Sequence, residues 1–388
     1  MNQMIPQIVS AVGSVIGSEP IELHAPVLGA VEKQRLLEVL ESGYVSSVGT
    51  EVRRFEEELA EYVGVKHAVA TVNGTSALHA ALLLAGVRPG DEVLLPALSF
   101  IATANAISYC GATPHFLDIE ESSLGVDPAA MHDYLGSISR TSSGETCNRH
   151  TGRRIAAVVP VHTFGHMANV EGVVEVAGAH GLAVIEDSAE ALGSHRSGKH
   201  AGTYGQLGVL SFNGNKIVTS GGGGALLTDD GVLADQARHL TATSRVAQGW
   251  EFIHDGIGFN YRMPGLNAAL GSAQLTRIED LVANKRRLYR AYAREFAERG
   301  VRGARLFKEP KGTRSNYWLQ TILLDEADEV VRDELLDALN QAGWQARPAW
   351  KLLPEQPPYV ACPSAPVPTA QAVVRRAINI PSGPGILV

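Results

Sequence analysis

Short apolar runs recur through the first two thirds of the chain, with helix-compatible stretches such as 76–85 between most of them. The runs occupy residues 67–72, 92–95, 113–118, 155–161, 183–186, 209–212 and 224–227. Each run has the length and composition of a buried strand. Strands that alternate with helices predict an α/β fold, with a mostly parallel sheet covered by helices on both faces.

The pattern changes after residue 264. Long helical segments follow at 267–279 and 281–299, and then come a strand-like run at 317–324 and a helix at 331–342. Residues 36–40 and 52–62 have the spacing of amphipathic helices, and the segment 42–49 between them is predicted to be a loop. The polar run 141–154 is typical of an exposed excursion. We therefore predict three parts: an N-terminal extension (1–20), a large domain (21–264) and a smaller C-terminal α/β domain (265–388).

Composition restricts the classes of partner. The chain has 388 residues, of which 45% are hydrophobic and 19% charged, and its net charge is -8. That balance predicts neither nucleic acid nor an anionic membrane as a partner, so we expect a small molecule. The first basic residue is Lys33, which does not fit a secretion signal, and no apolar run reaches about 18 residues. We expect a cytoplasmic protein.

Three cysteines, Cys110, Cys147 and Cys362, lack metal-type spacing. We interpret them as free thiols in a reducing compartment, and we predict no metal site.

Lys216 and Asp187 form the most informative pair in the sequence. Lys216 lies just before Ser220 and four glycines, and Asp187 ends an apolar strand-like run. A lysine amine can form a Schiff base with an aldehyde cofactor, and a carboxylate can hold a pyridinium nitrogen in its protonated state. Together they predict pyridoxal phosphate chemistry, although Lys216 alone would be interpreted as a surface lysine beside a glycine-rich turn.

A phosphate site is predicted where Asn73-Gly74-Thr75-Ser76 follows a strand and opens a helix. Backbone N–H groups and hydroxyls converge there, and a helix N-terminus favours an anion. Ser211, at the end of another strand, would add a hydroxyl. The plainer alternatives are an ordinary helix cap and a strand-end serine satisfied by backbone.

Three further side chains are weaker candidates. Glu190 would hydrogen-bond the phenolic oxygen of the cofactor or cap the following helix, and Phe100 would stack on the pyridine ring or belong to the core. His162 would lie in the cofactor or substrate pocket. A dinucleotide site is disfavoured, because no G-x-G-x-x-G follows a strand and the glycines 221–224 lead into a strand rather than a helix.

Several motifs together resemble the DegT/StrS family of pyridoxal-phosphate-dependent nucleotide-sugar aminotransferases, over about residues 21–382. They are Asn73-Gly74-Thr75-Ser76-Ala77-Leu78, Pro89-Gly90-Asp91-Glu92-Val93, Glu186-Asp187-Ser188-Ala189-Glu190, Ser211-Phe212 to Lys216 and Gly258-Phe259-Asn260-Tyr261-Arg262-Met263. Within the family, Ser46-Ser47-Val48-Gly49, His162-Thr163-Phe164-Gly165-His166 and Ser211 to Lys216 are most similar to the branch acting on UDP-4-keto-6-deoxy-N-acetylhexosamines, on routes to bacillosamine and legionaminic acid.

The resemblance implies a fold-type-I aminotransferase that works as a homodimer with shared active sites. It assigns Lys216 to the Schiff base, Asp187 to the pyridinium nitrogen, and Thr75 and Ser211 to the phosphate. Asn260 would reach the phosphate from the neighbouring subunit. Two positions depart from the family pattern, since Glu190 replaces the more usual glutamine and Asn73 a common serine.

The implied reaction moves the amino group of L-glutamate to the C4 ketone of the nucleotide sugar, with ping-pong kinetics. An aminotransferase for a GDP- or dTDP-linked keto sugar, or for a C3 ketone, remains the nearest alternative. A related sugar dehydratase would carry histidine in place of Lys216. A non-catalytic regulatory relative is disfavoured by the intact Lys216 and Asp187.

Overall fold

The computed structural model describes residues 3–248 and 250–387, in which helices and strands alternate through most of the chain. The α-helices are α1 (Met4–Ile16), α2 (Ala30–Ser42), α3 (Thr50–Val63), α4 (Gly74–Leu84), α5 (Ile101–Tyr109), α6 (Pro128–Ile138), α7 (Val170–Ala179), α8 (Gly231–Thr241), α9 (Gly265–Leu275), α10 (Ile278–Glu298), α11 (Glu329–Gln341) and α12 (Pro368–Val374). Short 3-10 turns occur at Thr163–Gly165, Leu353–Glu355 and Pro357–Tyr359.

The strands form one large sheet, one smaller sheet and several short pairings. They are β1 (His67–Thr71), β2 (Glu92–Pro96), β3 (Thr113–Leu117), β4 (Ser139–Ser142), β5 (Glu145–Asn148), β6 (Ile155–Val158), β7 (Ala183–Asp187), β8 (His195–Arg196), β9 (Lys199–His200), β10 (Leu207–Ser211), β11 (Gly224–Thr228), β12 (Arg245–Gln248), β13 (Glu251–His254), β14 (Ala304–Leu306), β15 (Thr313–Arg314), β16 (Gln320–Leu324), β17 (Arg347–Pro348) and β18 (Ala377–Ile380).

The large sheet has seven strands in the order β1-β11-β10-β7-β6-β2-β3. Strands β10, β7, β6, β2 and β3 run parallel, while β11 is antiparallel to both β1 and β10. All seven apolar runs of the sequence form these strands. The mostly parallel α/β fold is therefore confirmed, and its strands are mainly apolar because helices cover both of their faces.

Strand β1 contributes buried side chains to both faces of the sheet. Val69 belongs to a buried cluster that includes Leu82 of α4, whereas Ala70 belongs to a second cluster that includes Phe55 of α3. Successive side chains of a strand point to opposite faces, so one strand contributes to both layers. With both faces covered, the ends of the strands are the natural place for a ligand.

The polar run 141–154 contains structure that its composition does not predict. Strands β4 and β5 pair as a hairpin, and Ser143 and Gly144 at its turn have φ values of 52° and 81°. Two successive left-handed residues match the twist of a tight hairpin. The tip is exposed as expected, but Asn148 at its base is buried and donates to Glu92.

The C-terminal part contains a second, antiparallel sheet in the order β14-β16-β18-β17. The predicted strand at 317–324 begins three residues later, because Asn316 donates hydrogen bonds to the Ser194 hydroxyl and to the carbonyls of Glu190 and Leu192, beside the large sheet. The predicted helices correspond to α9, α10 and α11.

Helix α1 covers the second sheet region, where it packs against α10 and α11. Helix α9 packs against α2 and α3 and shares a buried cluster with α3. The division of the chain at residues 20 and 264 stays a prediction. No helix in the described residues combines the length and the apolar character needed to cross a membrane.

Candidate active site

A cavity of about 320 Å³ opens at the carboxyl ends of the parallel strands, as expected for an open α/β sheet. Seven of the ten predicted site residues line it: Gly74, Thr75, Phe100, Asp187, Glu190, Ser211 and Lys216. Residues from β7, from β10 and from the N-terminus of α4 meet there, because these elements are neighbours in the central part of the sheet. The structure thus brings together side chains that are far apart in sequence.

The N-terminus of α4 forms one wall of the cavity. Asn73 caps the helix, since its Oδ1 accepts the N–H of Ser76 at 2.8 Å. The first N–H groups of a helix have no partner within the helix, so those at Gly74 and Thr75 are available to an anion. Ser76 itself does not line the cavity and its N–H already donates to Asn73, so its place among the cofactor-binding residues stays a prediction.

Gly74 brings this helix end close to the end of β10. A Cβ atom on Gly74 would lie 2.9 Å from the Cβ of Ser211, which is closer than real Cβ contacts allow. Only glycine therefore lets the hydroxyls of Ser211 and Thr75 share one concave surface with the helix N–H groups. This cup of donors fits a phosphate group.

Asp187 ends β7 and is almost fully buried. Its Oδ2 accepts the hydroxyl of Thr103 at 2.7 Å, and its Oδ1 accepts the N–H of Ala189 at 3.2 Å. Both donors are neutral, and no ion pair to Asp187 forms within the described part of the chain. A buried carboxylate without a cationic partner is costly, and the protonated nitrogen of a pyridine ring would compensate it.

Lys216 and Glu190 lie opposite each other in the cavity, with Lys216 Nζ 3.3 Å from Glu190 Oε1. The second oxygen of Glu190 accepts the N–H of Phe164 at 2.8 Å. Burial raises the pKa of Glu190 to about 7, although the charge of Lys216 acts in the opposite direction. Glu190 thus changes its charge near neutral pH, directly beside the amine of Lys216.

Trp318 and Trp350 line the same cavity but were not predicted from the sequence. Lys216 Nζ lies 3.9 Å from the ring centroid of Trp318, whose Nε1 donates to the carbonyl of Asn215 at 2.7 Å. Trp350 makes an edge contact with Phe100, with 5.9 Å between the ring centroids. Phe100 is half exposed at the N-terminus of α5, so one face of its ring remains open to a ligand.

The structure places two predicted residues away from the cavity. His162 is fully buried behind the cavity wall, where its Nε2 donates to Glu186 at 3.0 Å and its Nδ1 accepts the N–H of Ala168. These contacts give it a structural position rather than one on the cavity surface. Asn260 is exposed and lines a separate surface cleft with Ser47 and Arg245.

Pyridoxal phosphate fits the residues of the cavity. The cup at Gly74, Thr75 and Ser211 suits its phosphate, Asp187 suits its ring nitrogen, and Lys216 suits its aldehyde. Among the described residues, no group of three or more His, Cys, Asp or Glu side chains is arranged to hold a metal ion.

Comparisons with known proteins agree with this chemistry. A family model described as the DegT/DnrJ/EryC1/StrS aminotransferase family matches residues 26–387. Two proteins named GDP-perosamine synthase are similar to the chain. That of Vibrio cholerae is 36% identical over 94% of this chain and 95% of its own length, and that of Caulobacter vibrioides is 35% identical over 94% of each.

The solved structure of PseC from Helicobacter pylori is also similar. It is described as an aminotransferase involved in the biosynthesis of pseudoaminic acid. It superimposes with a TM-score of 0.85 at 26% identity and covers 95% of both chains.

Proposed function

The chain belongs to the DegT/DnrJ/EryC1/StrS aminotransferase family, and from that premise we propose that it transfers the amino group of L-glutamate to the C4 ketone of a UDP-4-keto-6-deoxy-N-acetylhexosamine. The coarser activity, a pyridoxal-phosphate-dependent sugar aminotransferase, follows from family membership and from relatives that match nearly the whole chain. The substrate, the amino donor and the residue roles below belong to the proposal.

One observation carries the proposal: Lys216, Asp187 and the cup at Gly74 and Ser211 all line a single cavity. When bound, pyridoxal phosphate supplies an aldehyde that an amine can attack and a ring that accepts the electron pair released at carbon. The cup and Asp187 would hold its two ends, which fixes the position of the aldehyde relative to Lys216.

Lys216 has two tasks in this proposal. Its amine would hold the aldehyde of the cofactor, and as a free amine Nζ would be the base positioned to remove a proton from the α-carbon of glutamate and to return a proton in the second half-reaction. A positioned acid–base group of this kind contributes about 10²–10⁴-fold to the rate. The ring of Trp318 covers the amine and limits its contact with water.

Asp187 and Glu190 set the charge around that proton transfer. The Asp187 carboxylate would stabilise a proton on the ring nitrogen of the cofactor, and the hydroxyl of Thr103 holds that carboxylate in place. Glu190 lies where it contacts Lys216 Nζ, so its ionisation helps to determine whether the amine carries a proton.

Asn260 would complete the phosphate site from a second copy of the chain. It is exposed and lies outside the cavity of its own subunit, which is compatible with that role. A homodimer with shared active sites is therefore part of the proposal.

A GDP-linked 4-keto-6-deoxy sugar is the second candidate. Two relatives named GDP-perosamine synthase match 94% of this chain at 35–36% identity, and this observation favours a GDP-linked substrate. The UDP-linked candidate depends instead on the motifs at 46–49, 162–166 and 211–216.

A panel of substrates separates the candidates. Holoenzyme would be incubated with glutamate and UDP-, GDP- or dTDP-linked keto sugars, including a C3 ketone, and release of 2-oxoglutarate would be followed. We expect turnover with the UDP-linked N-acetyl sugar, and the Lys216→Ala variant serves as the blank. Turnover with the GDP-linked sugar alone would replace the first candidate by the second, and no turnover with any member would contradict both.

A further inference from the structure

A second cavity, of about 480 Å³, adjoins the candidate active site; we call it the adjoining cavity. The two cavities share Asn215, Trp318 and Trp350 on their walls. Its remaining wall comes from His24, near the N-terminus, and from residues 345–351 and Asn379 around the second sheet. A ligand in the adjoining cavity would therefore lie against Trp318, whose ring covers the amine of Lys216.

The mouth of the adjoining cavity is positively charged. Arg347 and Lys351 are both exposed there, and neither forms an ion pair in the part of the chain that the structure describes. None of the described residues that line the cavity carries a carboxylate. In a protein with a net charge of -8, such a local excess of positive charge favours an anionic group at this position.

His24 provides the second observation. Its side chain is 8% exposed, and neither ring nitrogen has a hydrogen-bond partner among the described residues. Nearly all buried polar groups in proteins are hydrogen-bonded, so an imidazole without a protein partner indicates a ligand, or the water that a ligand displaces.

The charge state of His24 limits what it can bind. Burial lowers its pKa well below the usual value, and the charges of Lys285 and Lys216 act in the same direction. At neutral pH the ring is therefore uncharged, with one N–H donor and one acceptor nitrogen. It suits a neutral group that both donates and accepts, such as an acetamido or hydroxyl group, rather than a phosphate.

We propose that the adjoining cavity binds the nucleotide sugar, with His24 hydrogen-bonded to a neutral substituent of the sugar and with Arg347 and Lys351 facing the diphosphate. The inference rests on the proposed function and makes it more specific. The order of the groups fits this ligand, because the neutral imidazole is buried in the cavity wall while the two cations are exposed at the mouth. The indole rings of Trp318 and Trp350 provide apolar surface for the carbon face of the sugar.

The chain offers a matched control in His166. This residue is also a buried histidine whose ring nitrogens have no partner among the described residues, but it lines neither cavity and packs against Phe307 and Tyr317. The substitutions His24→Leu and His166→Leu therefore remove the same chemistry from two comparable sites.

Steady-state kinetics of the holoenzyme tests the assignment. We expect His24→Leu to raise the KM for the keto sugar about ten-fold relative to the KM for glutamate, because one neutral hydrogen bond is lost. His24→Gln, which keeps a donor and an acceptor, should recover most of the loss, and His166→Leu should leave the ratio of the two KM values unchanged. An unchanged ratio in His24→Leu, or an equal change in His166→Leu, would overturn the assignment.

Binding of unreactive nucleotides provides a test that does not need turnover. With calorimetry on the holoenzyme, Arg347→Ala should weaken binding of UDP and of UDP-N-acetylglucosamine alike, by about ten-fold or more, since both carry the diphosphate. His24→Leu should weaken only UDP-N-acetylglucosamine. Substituting GDP and GDP-mannose shows whether a hydroxyl-bearing sugar is recognised in the same way.

The outcomes also distinguish this inference from the proposed function. Arg347 is exposed, so Arg347→Ala should fold, and its nucleotide binding can be measured even where His24→Leu does not fold. If Arg347→Ala binds UDP as the wild type does, the adjoining cavity is not the nucleotide site, whatever the reaction. If the wild type binds both nucleotides as expected but transfers no amino group, the proposed function fails and the subsite stands.

Discussion

Glu190 and Lys216 form a buried pair in the candidate active site, with 3.3 Å between Oε1 and Nζ. The pair is asymmetric, because Glu190 also accepts a backbone N–H from Phe164 while Lys216 lies against the ring of Trp318. Burial raises the pKa of Glu190 to about 7, so the charge of this pair depends on pH near neutrality.

The titration of Glu190 should make the stability of the protein depend on pH. Because folding raises the pKa of Glu190, the folded protein binds more protons than the unfolded chain between about pH 5 and pH 7, and its stability is lost as the pH rises through that window. In protein stripped of cofactor, the free energy of unfolding of wild type relative to Glu190→Gln should fall by up to about 3 kcal/mol between about pH 5 and pH 8. Urea denaturation of both proteins at several pH values measures this difference in the free energy of unfolding.

Glu309→Gln is the control for that series. Burial acts to raise the pKa of Glu309, but hydrogen bonds from Arg286 and from the Ser315 N–H outweigh it and lower the pKa. A lowered pKa gives stability that is lost only under more acidic conditions, so this variant should show no slope between about pH 5 and pH 8. A flat difference for Glu190→Gln as well would show that Glu190 does not titrate as its burial predicts.

Substitution of Lys216 should separate chemistry from cofactor binding. Lys216→Ala removes the amine but leaves the cup at Gly74 and the Asp187 carboxylate in place. Turnover should be abolished, whereas pyridoxamine phosphate, which needs no lysine, should still bind. Absorbance spectra and 2-oxoglutarate release measure the two properties.

Lys199→Ala, which replaces an exposed lysine above the ring of Tyr204, is the matched control and should keep both properties. Normal turnover in Lys216→Ala would rule out its assignment as the lysine of the reaction.

Asp187→Asn tests the partner of the ring nitrogen. The substitution keeps the shape of the side chain and its contact with Thr103, but it removes the charge. A charged hydrogen bond contributes about 1.5–3 kcal/mol, and loss of the ring proton adds a kinetic cost. Turnover should therefore fall much more than cofactor content, and both can be measured on the same sample.

Thr103→Val provides the comparison within the same hydrogen bond. It removes the donor to Asp187 Oδ2 but keeps the carboxylate charge and nearly the same volume. Its loss of turnover should be about ten-fold or less, which is smaller than for Asp187→Asn. Equal losses would mean that the orientation of Asp187, and not its charge, is what the reaction needs.

Asn260 tests the shared active site. If it reaches the phosphate of the neighbouring subunit, a subunit with Lys216→Ala and a subunit with Asn260→Ala have complementary defects. One site of the heterodimer then regains an intact lysine and an intact asparagine. Refolding a mixture of the two variants should therefore give more activity than the same variants refolded separately.

The gain depends on how strongly Asn260→Ala alone is impaired. Loss of one hydrogen bond to a phosphate dianion should cost about 1.5–3 kcal/mol, which is a measurable deficit. Refolded mixtures that contain heterodimers but show no gain would mean that Asn260 acts within its own subunit or away from the phosphate.

The sequence was sufficient to predict the central sheet and seven of the residues that line the cavity. Strands such as β7 and β10 are continuous apolar runs, and Asp187 and Ser211 are informative because they end such strands at the edge where ligands bind. These features can be predicted because they depend only on residues that are neighbours in the sequence. The hairpin at 139–148 was missed because its residues are polar, and only its turn geometry marks it.

The remaining wall depends on distant contacts. Trp318, Trp350 and Thr103 carry no motif, and they reach the cavity because the C-terminal segments and α5 pack against the sheet. His162 followed a strand as Asp187 does, yet it turns inward to satisfy the buried carboxylate of Glu186. Side-chain direction at such a position is decided by tertiary packing, which a local pattern does not record.

The hydrogen bond from Trp318 to the carbonyl of Asn215 spans 103 positions of the chain. The cavity is therefore complete only when a segment made late in synthesis has docked beside the lysine made much earlier. Contacts of such sequence separation form slowly, because a long loop must close before they contribute. Capture of the cofactor should accordingly be among the last events of folding, and the colour that it brings would report that the segments around Asn215 and Trp318 have docked.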